Sequence, residues 1–298
     1  MAENSDPPAK AKQGSGRFAA FEENINEHAF TANRNHFKAL DQITGLTPEW
    51  AGKKQLTFPQ PNLVLCSASP RRQALMRLTG RSFHTHEPDA AAERQLKRLF
   101  DGKAKNKRLS WSDAGKDSML LAAGKARNVY LKEKDSCGIW IGADTIVYLD
   151  GHVLGKPADQ DEARQMLYRL SGKKHLVMTG VSILVRGFCR PEDRPHSVFN
   201  PDQIPSDLCR PSLQEETFFY TTEVHFRPLD ALQKYYIDRY VESGSPLDKA
   251  GGYGIQDQGA LLIHSIVGDY HNVVGLPVAG LARCLDQLEG KVEPPAIF

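Results

Sequence analysis

Among the 298 residues of this chain no apolar run approaches the roughly 18 residues of a membrane span, and the first thirty residues lack the apolar stretch of a secretory signal. Both absences point to a cytoplasmic protein. Cysteine is scarce: Cys66, Cys137, Cys189, Cys209 and Cys284 are scattered, odd in number and never spaced as CxxC. That argues against a disulfide framework and against a structural zinc site, and it fits a reducing compartment. An excess of one charge is missing too. The net charge of +2 is too small for bulk electrostatics to hold a nucleic acid polymer or a membrane, so any anion must be recognised by local clusters. What is present is an ordinary globular balance, 40% hydrophobic and 25% charged, enough for one large or two modest domains.

The opening stretch MAENSDPPAKAKQGSGRF has no apolar periodicity, and residues 1–61 read as a largely disordered extension that docks a short helix at most. The folded domain is expected over 62–290, with a tail at 291–298. Strands are expected at Leu63–Ser67, near Phe83, at Ile139–Ile141, Thr145–Val153, His175–Val185, Thr217–Phe226 and Ala260–Val267. Asp150-Gly151 interrupts the fourth of these as a hairpin turn. Helices are expected at Arg71–Leu78, Asp117–Leu131, Asp159–Leu170, from Asp230 with Leu232, Tyr236 and Tyr240 on one stripe, and at Pro277–Leu288. The class is α/β, with a mixed sheet because a hairpin and crossover helices coexist. Two polar segments, about 94–116 and 187–216, read as surface insertions, each a mobile lid or decoration; the basic first one reads as a solvated charged loop ahead of an aid to phosphate attraction.

Chemistry concentrates at strand ends, where α/β sheets bind ligands. In LVLCSASPRR, an apolar strand meets Ser69 as N-cap and Pro70 at the first helical position. Arg71 and Arg72 therefore sit at the positive end of a helix dipole, an arrangement that makes sense once an anion completes the site. In Gly142-Ala143-Asp144-Thr145, small residues bring backbone close and Asp144 offers a general base or a metal ligand. Lys156 follows the hairpin on a rigid Gly155-Lys156-Pro157 turn, suited to a phosphate oxygen. Residues 243–256 form a glycine-dense loop, and Asn272-Val273-Val274-Gly275-Leu276-Pro277 leads into the last helix. Each alone reads equally as surface arginine, turn residue or tight corner. Together they match the needs of phosphoryl chemistry: charge neutralisation, a metal anchor and a positioned water.

LVLCSASPRR, GADTIVYLDGHVLGKP, ARQMLYRLSGKKHLVMTGVSIL, SGSPLDKAGGYGIQ and NVVGLP, in this order, resemble the Maf family of nucleoside triphosphate pyrophosphatases over about Asn62 to Leu288. The resemblance implies a mixed twisted sheet flanked by helices, in an elongated two-lobed Maf/ITPase-like fold with a central cleft. DKAGGYGIQ is similar to the subfamily acting on dTTP, UTP and modified pyrimidine nucleotides. By the resemblance, Asp144 is the catalytic carboxylate, with Lys156, Arg71 and Arg72 beside it. Ser67, Lys125, Thr145 and Gln256 then bind substrate, and Asp144 and Glu93 hold Mg²⁺ or Mn²⁺. It also implies a homodimer and a link to septum formation. Two departures stand out: Glu93 comes at a shifted spacing, and Asp257 replaces the glycine that usually follows GIQ, which either alters the loop or adds repulsion near the nucleotide. The alternatives are a non-catalytic nucleotide-binding regulator of cell division, and the same chemistry on another base such as 7-methyl-GTP.

Overall fold

The computed structural model describes residues 38–44, 46, 49–50, 56–57, 62–104, 108–133, 137–189 and 212–289. In chain order these form α1 (Lys38–Thr44), β1 (Glu49–Trp50), β2 (Leu56–Thr57), β3 (Asn62–Leu65), α2 (Pro70–Arg77), β4 (His84–Thr85), α3 (Ala90–Ala104) and α4 (Trp111–Lys132). There follow β5 (Gly138–Leu149), β6 (His152–Leu154), α5 (Gln160–Leu170), β7 (Lys174–Cys189), β8 (Ser212–Phe226), α6 (Ala231–Glu242), β9 (Ile263–Val267), α7 (Tyr270–Val274) and α8 (Val278–Leu288). The main strand order is β1-β8-β7-β5-β3-β4, with β2 added to β7, β6 to β5 and β9 to β8. Pairing is parallel for β1 with β8 and for β3 with β4 and β5. It is antiparallel along the long β5-β7-β8 ribbon, so the sheet is mixed as expected.

The ribbon carries two apolar clusters. Toward one end Ile139, Ile141, Ala143, Val181 and Ile183 pack against Leu75 and Met76 of α2 and Leu281 and Leu285 of α8. Toward the other, Val147, Leu149, Val177 and Val224 pack against Leu167 of α5 and Ile237 of α6. Residues 139, 141, 143, 147 and 149 alternate in step along β5, so both clusters lie on one face. The opposite face belongs to α4, where Ala126 and Val129 meet Val64, Trp140 and Leu184.

Glycine sets how close α4 comes. A Cβ on Gly142 of β5 would lie 2.0 Å from the Ala122 carbonyl oxygen, and one on Gly180 of β7 would lie 2.3 Å from the Ser118 carbonyl carbon. The helix backbone rests directly on the sheet at these two points. Gly142 of the GADT stretch thus serves helix-on-sheet contact, while Ala143 packs into the cluster on the other face.

Several expectations change. The strand expected at 139–141 and the first arm of the one expected at 145–153 are a single strand, β5, because Gly142 and Ala143 stay paired with Ser182 and Val181, while 152–153 fall in β6 beyond the expected hairpin turn. The segment expected as an insertion at 94–116 is mostly helical: α3 covers 90–104 and α4 begins at Trp111, capped by Ser110. Leu96 explains this, since it is buried among Leu40, Met119, Leu121 and Phe219. On α6 the inward residues are Gln233, Ile237, Tyr240 and Val241, while Leu232 is 57% exposed, which displaces the expected stripe. Residues 258–262 are 3₁₀-helical, so the last strand starts at Ile263. Within the extension expected over 1–61, α1 packs Leu40 into the protein, and β1 and β2 join the sheet. Residues 1–37 lie outside the described residues. Of the segment expected as an insertion at 187–216, residues 190–211 lie outside them too, and its flanks extend β7 and β8.

Gly142→Ala is expected to destabilise the protein by roughly 3 kcal/mol, the upper end of ordinary overpacking, because the clashing atoms are backbone. Denaturant midpoints would show it, and an unshifted midpoint would refute the close contact.

Candidate active site

The site grows from a gap in the sheet. On its outer edge β5 pairs with β3 through residues 138–141 and with β6 through 147–149. Residues 142–146 between them have β7 alone as a strand neighbour among the described residues. Asp144 points toward the α4 face and Thr145 toward the opposite one, yet the gap opens both into one cleft of about 830 Å³. The cleft is also lined by Ser67, Arg71, Arg72, Glu93, Lys97, Lys125, Lys156, Asp248, Lys249, Gln256 and Asp257. Every site residue expected from the sequence therefore faces the same space.

The turn between β3 and α2 is built as its sequence predicts. Ser67 accepts from the Ser69 N–H, and Ser69 caps the helix by accepting from the Arg72 N–H. Arg72 is braced from two sides, its Nε donating to the Gly275 carbonyl at 2.8 Å and an NH2 group to Thr145 Oγ1 at 3.0 Å. Thr145 in turn shares a 2.9 Å hydrogen bond with Thr179, and Thr179 donates to the Asn272 carbonyl. Asn272 Nδ2 donates to the Val177 carbonyl and to Thr222 Oγ1. This chain gives NVVGLP its role: it fixes the arginine from behind.

Opposite, the Lys125 ammonium joins two carboxylates, at 2.7 Å from Asp144 and 3.1 Å from Glu93. Lys125 reaches them from α4 and Glu93 from the first turn of α3, so the shifted spacing of Glu93 is absorbed by a helix start at Ala90. Burial alone would raise the Asp144 carboxyl, but Lys125 and Arg72, with Lys97 farther off, hold it below its ordinary value. Lys156 is pushed below the usual lysine range by partial burial and by the like charges of Lys97 and Lys125. The donor set suits a hard cation. Two carboxylates converge on one ammonium head, which offers the one or two oxygen ligands that Mg²⁺ takes from protein when phosphates supply others. No group of three or more His, Cys, Asp or Glu side chains that could form an all-protein cage occurs among the described residues.

The glycine-dense loop is pinned by charge. Lys249, 9% exposed, donates to the Ser245 carbonyl and to Asp248, and pairs with Asp257 at 3.2 Å. Asp248 also meets Arg71 at 3.2 Å, so the loop is tied to α2 across the cleft. Of the two effects expected of Asp257, an altered loop or added repulsion, the first is what its contacts show. Its carboxylate accepts from Ser245 Oγ and from the Gly259 N–H as it caps the 3₁₀ turn, and the Lys249 charge lies against it. The Gly251 N–H donates to the Gly155 carbonyl, joining the loop to the turn that carries Lys156. Below, Tyr253 shares a 2.7 Å hydrogen bond with buried His175, whose imidazole burial pushes down to about 3, with His225 adding to the effect.

Lys97, Asp248 and Lys249 were not singled out by the sequence argument. The last two stood inside the quoted loop, with nothing to separate pinning from binding. Lys97 stood four residues after Glu93, a helical spacing that becomes visible once α3 is seen to be a helix.

A family model described as Maf-like protein matches residues 62–288. The dTTP/UTP pyrophosphatase of Bacillus pumilus is 38% identical over 224 residues, covering 75% of this chain and 95% of the relative. Those of Symbiobacterium thermophilum and Thermococcus kodakarensis are 40% and 37% identical, covering 76% and 72% of this chain and 93% and 91% of the relatives.

Two predictions follow from the loop. Asp257→Gly, which removes the cap and one partner of a buried ammonium, should cost about 1–3 kcal/mol by thermal or denaturant unfolding; an unchanged midpoint would show that the pinning is ornamental. His175 is neutral in the fold and titrates near its ordinary 6.5 when unfolded. Its contribution to stability is thus intact above that pH and is lost as pH falls toward about 3, at up to about 1.4 kcal/mol per unit. Unfolding measured from pH 7 to 4 should flatten in His175→Gln, and parallel curves would contradict this.

Proposed function

The chain belongs to the Maf family, and we propose from that footing that it hydrolyses a nucleoside triphosphate to the monophosphate and pyrophosphate. The observation that carries the reading is the Asp144–Lys125–Glu93 cluster facing Arg71, Arg72 and Lys156 inside one cleft. The named activity of the relatives, dTTP/UTP pyrophosphatase, supports dTTP and UTP as substrates, with modified pyrimidine nucleotides beside them. The two apolar clusters flanking the cleft support an elongated two-lobed fold.

In this reading Arg71, Arg72 and Lys156 bind the triphosphate, with the Ser67 turn at the head of α2 seating it. Gln256, at the exposed rim of the cleft, contacts the base. A water oxygen bonds to the α-phosphorus, and the bond from that phosphorus to the bridging oxygen breaks, its electron pair leaving on pyrophosphate. Asp144, whose affinity for protons is lowered, orients this water as an acceptor and passes its proton on to solvent rather than storing it. Lys125 holds the carboxylate in place and carries positive charge toward the phosphates as they gain charge. Asp144 and Glu93 would hold Mg²⁺ or Mn²⁺, which when bound supplies charge neutralisation on phosphate oxygens.

Pyrophosphate release measured across dTTP, UTP, CTP, ATP, GTP and 7-methyl-GTP tests this. The expected result is turnover led by dTTP or UTP, with kcat lowered roughly 100- to 10,000-fold in Asp144→Asn while nucleotide binding persists. Nucleotide binding without turnover in the wild type would instead make the protein a regulator, and a lead for 7-methyl-GTP would reassign the base.

A further inference from the structure

The helix α3 does more than deliver Glu93. Glu93, Leu96 and Lys97 stand at i, i+3 and i+4, on one side of the helix. Leu96 plugs that side into α4 beside Met119 and Leu121, and Glu93 reaches Lys125. Lys97 continues the same side one turn further and lines the cleft, with its side chain exposed.

Its electrostatic situation is unusual. Glu93 is its natural partner four residues back, but Glu93 is engaged by Lys125. Arg71 is paired with Asp248, Lys249 with Asp248 and Asp257, and Arg72 is hydrogen-bonded to Gly275 and Thr145. Among the described residues Lys97 and Lys156 are the two cations of the cleft with neither an ion pair nor a hydrogen bond. They also repel each other, since Lys97 is one cause of the lowered proton affinity of Lys156. Two unpaired like charges facing one cavity are unfavourable until an anion enters between them.

We propose that Lys97 is a substrate-contacting residue, donating from its ammonium to the anionic oxygens of the polyphosphate chain and completing, with Lys156, a second cationic wall facing Arg71 and Arg72. The segment read as a surface insertion from sequence is in this way part of the binding site. The inference rests on the pyrophosphatase reading for the identity of the nucleotide, and on the cleft alone for its phosphate chemistry.

The test uses the full chain with dTTP as substrate and inorganic pyrophosphate as inhibitor. Lys97→Gln should raise KM for dTTP and the inhibition constant of pyrophosphate about tenfold each, the scale of one charge-assisted hydrogen bond, with kcat changed far less. Lys97→Arg should restore both, and the glutamine variant should lose part of the salt dependence of KM. Because the side chain is exposed and unpaired, the unfolding midpoint should stay put, which separates this outcome from a folding defect. Glutamine and wild type agreeing within twofold on both constants would overturn the role of Lys97 while leaving the reaction standing. A wild type without turnover would defeat the pyrophosphatase reading. Calorimetric binding of pyrophosphate to both proteins would then decide on Lys97, a weaker glutamine variant supporting it and equal or absent binding refuting it.

Discussion

The contact of α4 with the sheet at Gly142 and Gly180 is the constraint on which the site depends. With helix backbone against strand backbone, Lys125 sits close enough for its ammonium to reach Asp144 on the strand beneath. A side chain at either glycine would lift the helix, and the ammonium and carboxylate would part. The same closeness explains Ala122 and Ala126, whose backbone lies against Gly142, while Gly124 on another side of α4 makes room for Leu96 of α3. Interiors are packed densely enough that such a contact is either made fully or replaced by a different packing.

The sheet supplies the second condition by leaving β5 partly unpaired. A central strand normally shields its side chains on both faces and its backbone on both edges. Here β3 stops at Leu65, opposite Ile141, and antiparallel β6 ends at Leu154, opposite Val147, so a window opens over residues 142–146. Adjacent residues that would otherwise face opposite layers, Asp144 and Thr145, then serve one cleft. Thr145 is held by Arg72 and Thr179, which carries rigidity inward to Asn272, while Asp144 is held by Lys125. One side of the window is held by hydrogen bonds to hydroxyls and carbonyls, the other by ion pairs.

Much of this was legible in the sequence. The Ser-Pro-Arg-Arg start of α2, the Asp150-Gly151 hairpin and the periodicity of α5 and α8 follow from local rules of capping, turn formation and amphipathicity, and they stand as read. The residues that failed are those whose meaning lies in distant partners. Gly142 reads as a break between two strands until α4 is seen above it. Leu232 fits the stripe of α6 by spacing, yet it faces outward because the next residue, Gln233, turns inward to donate to the Leu262 carbonyl. The polar composition of 94–116 hides a helix because what docks it is a buried residue within a charged run, Leu96, which packs beside Met119 and Leu121. Asp257 looked like an intruding charge since its counter-ion, Lys249, is eight residues away across a folded loop.

Two buried cations stand two residues apart on α4 and show how position selects chemistry. Arg127 points away from the cleft and is saturated, with Glu215 at 2.5 Å, Asp41 of α1 at 2.6 Å, and Ser182 closing the far side of Glu215. Its planar fork suits fixed, multiple partners, and breaking such a buried cluster leaves an uncompensated charge. Lys125 is also buried, yet its point charge on a flexible stem is shared between two carboxylates at the cleft, Asp144 and Glu93, with no fixed fork to hold it to either. The Arg127 cluster anchors α1 to the back of the helix, and the Lys125 cluster faces the cleft at its front. One helix therefore separates stability from reactivity by the direction in which two neighbouring side chains leave it.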